Sequence, residues 1–100
     1  MNSITIDKDI IYFFKGDGDY KYKAYVLKDN GDRLIVDFGD KHYSQYKDQT
    51  PLQLYKDLDH LDEKRRLRYR KRHGGIYTKD GILAHKVKYS PAWFSWHFLW

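Results

Sequence analysis

Hydrophobic and polar positions change period once along this chain, near residue 40, and the change divides it into a strand-forming and a helix-forming part. Ser3 to Ile6 alternates briefly. Ile10-Ile11-Tyr12-Phe13-Phe14 is a continuous run of β-branched and aromatic residues, too short for an independent helix. Gly16-Asp17-Gly18-Asp19 supplies turn chemistry. From Tyr20 to Leu27 the alternation is strict. Tyr20, Tyr22, Ala24 and Val26 take one face, and Lys21, Lys23, Tyr25 and Leu27 take the other. Asn30-Gly31 is a strong hairpin signal, and Leu34 to Phe38 returns as the partner strand before Gly39.

Beyond Gly39 the period lengthens. Asp40 to Gln49 reads as a loop crossing the sheet edge. Thr50-Pro51 forms an N-cap and N1 pair, with Leu54, Tyr55, Leu58 and Leu61 following at helical spacing. Asp62 to Arg72 predicts a second helical stretch, with acids in its first turn and bases in its last, as the helix dipole favours. Gly74-Gly75 ends it. Ile76 to Lys88 reads as a loop or short hairpin around Lys79-Asp80-Gly81, and Ser90-Pro91 opens a final helix of about nine residues. The expected architecture is α+β: a small antiparallel sheet of three or four strands packed against C-terminal helices. One domain spans residues 1–100, with a β-meander over 1–39, a basic helical segment over 50–73 and an aromatic C-terminal helix over 90–100.

Composition sharpens this picture. One hundred residues bury roughly 60–65% of the unfolded chain's surface, so the core is limited. Eighteen aromatics, ten of them tyrosine, supply large buried areas to compensate. There is no cysteine, hence no disulfide framework and no thiolate metal site. No apolar run approaches ~18 residues and no leader pattern opens the chain, which predicts a soluble intracellular protein, neither secreted nor membrane-bound.

Charge is concentrated. Lys64, Arg65, Arg66, Arg68, Arg70, Lys71 and Arg72 supply seven positives in one short stretch, against twelve bases and fourteen acids elsewhere. The net charge of +5 is therefore a local patch. Helical spacing sets Arg65, Tyr69, Arg72 and His73 along one side, with Lys64, Arg68 and Lys71 beside them. Such a helix could place guanidiniums on phosphates and Tyr69 on a base. It could equally be a solvated helix paired with nearby acids such as Asp62 to Arg66.

Other constellations carry less. His60, Asp62 and His73 match no standard zinc spacing and face no evident nucleophile, so an N-cap and a helix-end position suit them better. The aspartates around Gly16 and Gly18 lack an EF-hand's twelve-residue loop and closing glutamate. Neither a metal, nor a cofactor, nor catalysis is expected. Trp93, Trp96 and Trp100 recur at i, i+3 and i+7, a stripe belonging either to the core or to a docking or self-association surface.

Three blocks carry a resemblance: Phe38-Gly39-Asp40-Lys41-x-Tyr43-x-x-Tyr46, His60-x-Asp62-x-x-Arg65-Arg66-x-x-Tyr69-x-x-Arg72-His73, and Tyr89-Ser90-Pro91-Ala92-Trp93-Phe94-Ser95-Trp96-x-x-Leu99-Trp100. Over residues 34–100 the chain resembles a family of small uncharacterised proteins of large DNA viruses of eukaryotes and some phages. Gly74-Gly75 departs from the more polar stretch expected there. The resemblance implies lineage and no catalytic residue. It points to a non-enzymatic viral accessory protein of the infected cell or the virion, binding DNA or RNA through Lys64, Arg65, Arg68, Tyr69, Lys71 and Arg72. The alternatives are a minor virion or capsid-associated protein docking on a viral structural protein through its aromatic C-terminus, and a small inhibitor of a host or competing defence protein.

Overall fold

The computed structural model describes residues 2–100, so Met1, the first residue of the expected meander, lies outside the described residues. The fold is α+β. Strands β1 (Ser3–Ile6), β2 (Asp9–Lys15), β3 (Tyr20–Leu27) and β4 (Arg33–Asp40) form an antiparallel sheet whose spatial order is the chain order. Helices α1 (Glu63–His73) and α2 (Pro91–Phe98) follow.

Each hairpin has its own turn. Asp7 and Lys8 both take positive φ, 49° and 72°, in a two-residue loop whose twist suits the flanking strands. Glycine is absent there. Instead the turn is tied down from outside, by an ion pair between Lys88 and Asp7 at 2.6 Å and a hydrogen bond from the Tyr89 hydroxyl to Asp9. At Asn30-Gly31 the expected hairpin is present as a five-residue loop. Gly31 supplies φ 92°, and the Asn30 side chain accepts from the Asp32 N–H.

The face predicted for β3 is the buried one. Tyr22, Ala24 and Val26 join Ile11, Phe13, Val36 and Phe38 beneath Tyr89, Phe94 and Leu99. Ser90 caps α2, its hydroxyl accepting from the Trp93 N–H at 3.1 Å, and Pro91 takes the first turn. This lays Phe94 parallel to Phe38 at 5.0 Å and edge-on to Phe13 at 6.2 Å. The main-chain oxygens of Phe98 and Leu99 then accept from Gln49 and Lys47, fastening the end of the chain's aromatic segment to the loop beyond β4.

The helix expected from Thr50-Pro51 to Leu61 is absent; the basic helical segment begins at Glu63, and upstream of it only Lys56–Leu58 makes a single 3-10 turn. The cause is competition for backbone N–H groups. The buried Asp48 carboxylate accepts from the Thr50 N–H and hydroxyl and from the Tyr55 N–H, while the Tyr22 hydroxyl accepts from the Leu54 N–H. Gln53 and Leu61 take positive φ, and Leu54 and Leu61 are exposed, so their helical spacing has no buried face to serve.

Phe94 is fully buried, so Phe94→Ala should cost ~3–5 kcal/mol, a large share of a typical ~5–15 kcal/mol. Deleting residues 93–100 should abolish cooperative unfolding, because both α2 and the 47–49 loop lose their partners. Thermal melting followed by circular dichroism checks both, and a truncated chain melting near the full-length midpoint would contradict this packing.

Candidate nucleic-acid interface

Local chemistry starts and stops α1 where the charge pattern indicated. Asp62 is the N-cap, its Oδ1 accepting from the Lys64 N–H at 2.9 Å and the Arg65 N–H at 3.3 Å, and these bonds hold its carboxyl below the ordinary carboxylate range. Engaged in this way, Asp62 does not make the expected pair with Arg66; Glu63 meets Arg66 instead, at 3.8 Å. Gly74 ends the helix by close approach, since a Cβ there would sit 2.5 Å from the Arg70 carbonyl oxygen. Its φ of −66° is an ordinary one.

The helix has an inward and an outward side. Inward, the Tyr69 ring lies parallel to Trp100 at 4.1 Å and to His73 at 4.1 Å. Two rings stacked that closely must occupy opposite faces, so Tyr69 has no face free for a base, and its expected stacking role is corrected. Burial pushes its phenol up to about 12. Arg66 and Arg70 also turn inward. The Nε of each donates to the Trp100 main-chain oxygen, at 2.8 and 3.4 Å, while their guanidiniums cover Tyr46 and Trp96.

The three tryptophans divide the work of joining segments. Trp93 meets Tyr89 edge-on at 5.2 Å, Trp96 stacks on His85 at 3.9 Å, and Trp100 stacks on Tyr69. All three are half-buried; the fully enclosed residues of this segment are Phe94 and Leu99. Trp100 lies beyond the end of α2, so the stripe is not one helical face.

Outward point Lys64, Arg65, Arg68, Lys71 and Arg72. All five are exposed, and none forms an ion pair among the described residues. Arg65 donates to the Ser44 hydroxyl at 2.9 Å. Lys64, Arg68 and Arg72 stand at successive i,i+4 positions, where like charges repel.

Strand alternation places Lys21 on the face of β3 opposite Tyr22, Ala24 and Val26, yet it too is buried, 2% exposed. Its Nζ donates to the Tyr43 carbonyl at 2.8 Å and to the Gln45 side chain, and burial lowers its pKa to about 8. Gln45 in turn donates to Asp59 at 2.6 Å. The one legible signal was Gly39: a Cβ there would lie 2.9 Å from the Leu99 Cδ1 and 3.1 Å from the Lys21 Cβ, so the glycine makes room for both side chains.

Among the described residues no group of three or more His, Asp or Glu is placed to hold a metal. His60 and His73 stand at opposite ends of an aromatic row, with Trp100 and Tyr69 between them. Asp17 of the 16–19 turn pairs with Lys23 at 2.7 Å. No helix among the described residues is long and apolar enough to cross a membrane. No known protein family, curated protein or solved structure matches the chain.

Burial, with Arg65 and Arg72 respectively adding to it, holds the His60 and His73 imidazoles below their ordinary 6.5. The unfolded chain therefore takes up protons that the folded chain refuses as pH falls through and below that value, so stability should drop between about pH 7 and pH 5. His73→Phe, which keeps a ring on Tyr69, should shallow that drop. A melting temperature independent of pH over this range would contradict the burial of the two rings.

Proposed function

We propose that this is a non-enzymatic nucleic-acid-binding protein whose helix α1 lies against the phosphate backbone. The observation that carries the reading is the segregation on that helix. Two of its seven cations are consumed inside the fold by Trp100, Tyr46 and Trp96, and the other five project together without an ion pair among the described residues. Repulsion among five like charges destabilises a short helix, and a polyanion turns that cost into affinity. At 1.5 Å rise per residue, eleven residues span roughly 16 Å, enough to follow several phosphates.

With both faces of Tyr69 covered, that ring does not stack on a base, so contacts to phosphate should dominate and binding should be indifferent to sequence. The packing of Trp93, Trp96 and Trp100 against their own chain weighs against docking through the aromatic segment. The viral lineage suggested by the three sequence blocks fits an accessory protein that accompanies a genome.

Titrating duplex DNA at several salt concentrations tests the proposal. If all five cations meet phosphates, log K should fall against log salt with a slope of about −4.5. The variant Lys64→Gln, Arg68→Gln, Lys71→Gln should lower the magnitude of that slope by roughly 2–3 and weaken binding equally on unrelated sequences. Absence of binding at low salt, or a slope unchanged in the triple variant, would refute it.

A further inference from the structure

Beside α1 lies a hollow of about 420 Å³, bounded by the end of β4, the loop at residues 43–45 and the Leu99-Trp100 segment. Three cations line it: Lys21, Arg65 and Arg72. One loop positions two of them. The Tyr43 carbonyl and Gln45 side chain hold the Lys21 amine, and the Ser44 hydroxyl between them accepts from Arg65. The loop is itself anchored by Gln45 to Asp59 and to the Tyr55 carbonyl. The single carboxylate in this lining, Asp40, already accepts from the His42 N–H and faces its ring nitrogen at 2.9 Å. The balance of charge in the hollow is positive, and two of its cations, Lys21 and Arg65, are held in place before any ligand arrives.

A second hollow of about 420 Å³ adjoins the first, sharing Gly39, Asp40, Tyr69, His73 and Ser95 with it. Its further lining has the opposite character. Asp19 and Asp37 replace the arginines in a lining that is otherwise mostly apolar, with Phe38, Ile76 and Trp96 among it, and the Asp37 Oδ1 is buried without a hydrogen-bond partner. Carboxylates repel an anion but accept from hydroxyl and amino groups. The two hollows together therefore suit a molecule with a phosphate at one end and a donor-rich, uncharged body at the other. Each has a volume within the range of small-ligand sites.

We infer that this double hollow binds the phosphomonoester of a nucleotide, its phosphate among Lys21, Arg65 and Arg72 and its nucleoside toward Asp19 and Asp37. A monoester carries about −1.5 to −2 charges at neutral pH, more than the single charge of each backbone diester. It also ends a chain, so it can enter a recess that a continuous backbone must pass over. The inference deepens the nucleic-acid reading, and rests on it where the nucleotide is the phosphorylated end of a strand; a free nucleotide presents the same chemistry.

The test compares one short single strand ending in a 5′-phosphate, a 3′-phosphate or hydroxyls only, with free nucleoside monophosphate and inorganic phosphate as competitors. Binding is read from the fluorescence of Trp96 and Trp100, which line the two hollows. One phosphorylated end should bind about tenfold more tightly than the hydroxyl-ended strand, a difference of ~1.4 kcal/mol. In Arg72→Gln that ratio should fall toward one. Arg72 is exposed and makes no ion pair among the described residues, so its loss leaves the fold intact. Free nucleoside monophosphate competing as well as the phosphorylated strand would identify the free nucleotide as the ligand. Inorganic phosphate competing equally well would overturn the nucleoside half of the site, and with it the inference. A ratio of one in the unaltered protein, with no binding of free nucleotide, would overturn it entirely; salt-dependent binding of the hydroxyl-ended strand would then leave the backbone reading standing. Nucleotide binding without any strand binding would do the reverse.

Discussion

Tyr69 clasped between Trp100 and His73 is the contact on which the basic helix depends. Helix α1 has no buried residue, and its one aliphatic side chain, Leu67, is 65% exposed. An eleven-residue helix is marginal in water even with a favourable sequence, and this one carries seven positive charges. Hydrophobic burial therefore does not hold it in the ordinary way. The parallel rings of Tyr69 and Trp100 at 4.1 Å hold it to the fold, with His73 stacked on Tyr69 from within the helix, together with two arginines converging on one main-chain oxygen and an aspartate cap at its start.

That attachment also orients the charge. Arg66 and Arg70 lie one turn apart and bond the same Trp100 oxygen, which fixes the rotation of the helix about its axis. Once the rotation is fixed, the remaining five cations can only face outward, with Arg65 and Arg72 beside the hollow next to α1 and Lys64, Arg68 and Lys71 beyond it. The aromatic segment at residues 91–100 thus serves the core and the charged face at once. Phe94 and Leu99 complete the core over the sheet, while Trp96 and Trp100 receive the helix.

Features fixed by neighbours in sequence were legible in advance. The alternation of β3, the turn at Asn30-Gly31, the caps at Asp62 and Ser90 and the stop at Gly74 all depend on residues within a few positions of each other. Features set by distant partners were not. Thr50-Pro51 begins a helix by local rules, but Asp48 and the Tyr22 hydroxyl, the latter 32 residues from Leu54, take the N–H groups it would need. Lys21 lies opposite Tyr22, Ala24 and Val26 in the strand pattern, and only the loop at 43–45 folding over it makes it a buried cation. Helical spacing placed Tyr69 among the arginines correctly, yet could not show that its two faces were already covered. The tryptophan stripe left core and docking surface open: Trp93 and Trp100 pack half-buried against the core, and the three rings meet three different segments, which spacing alone could not show.

Amide hydrogen exchange on the unaltered protein and on Tyr69→Ala is the most direct test of this arrangement. If the ring stack holds the helix, α1 amides should be protected in the unaltered protein. They should exchange near the unprotected rate in the variant, while β2 and β3 keep their protection, because stability is distributed in local units. Protection of α1 that survives the loss of Tyr69 would contradict the account, and so would an α1 already unprotected in the unaltered chain.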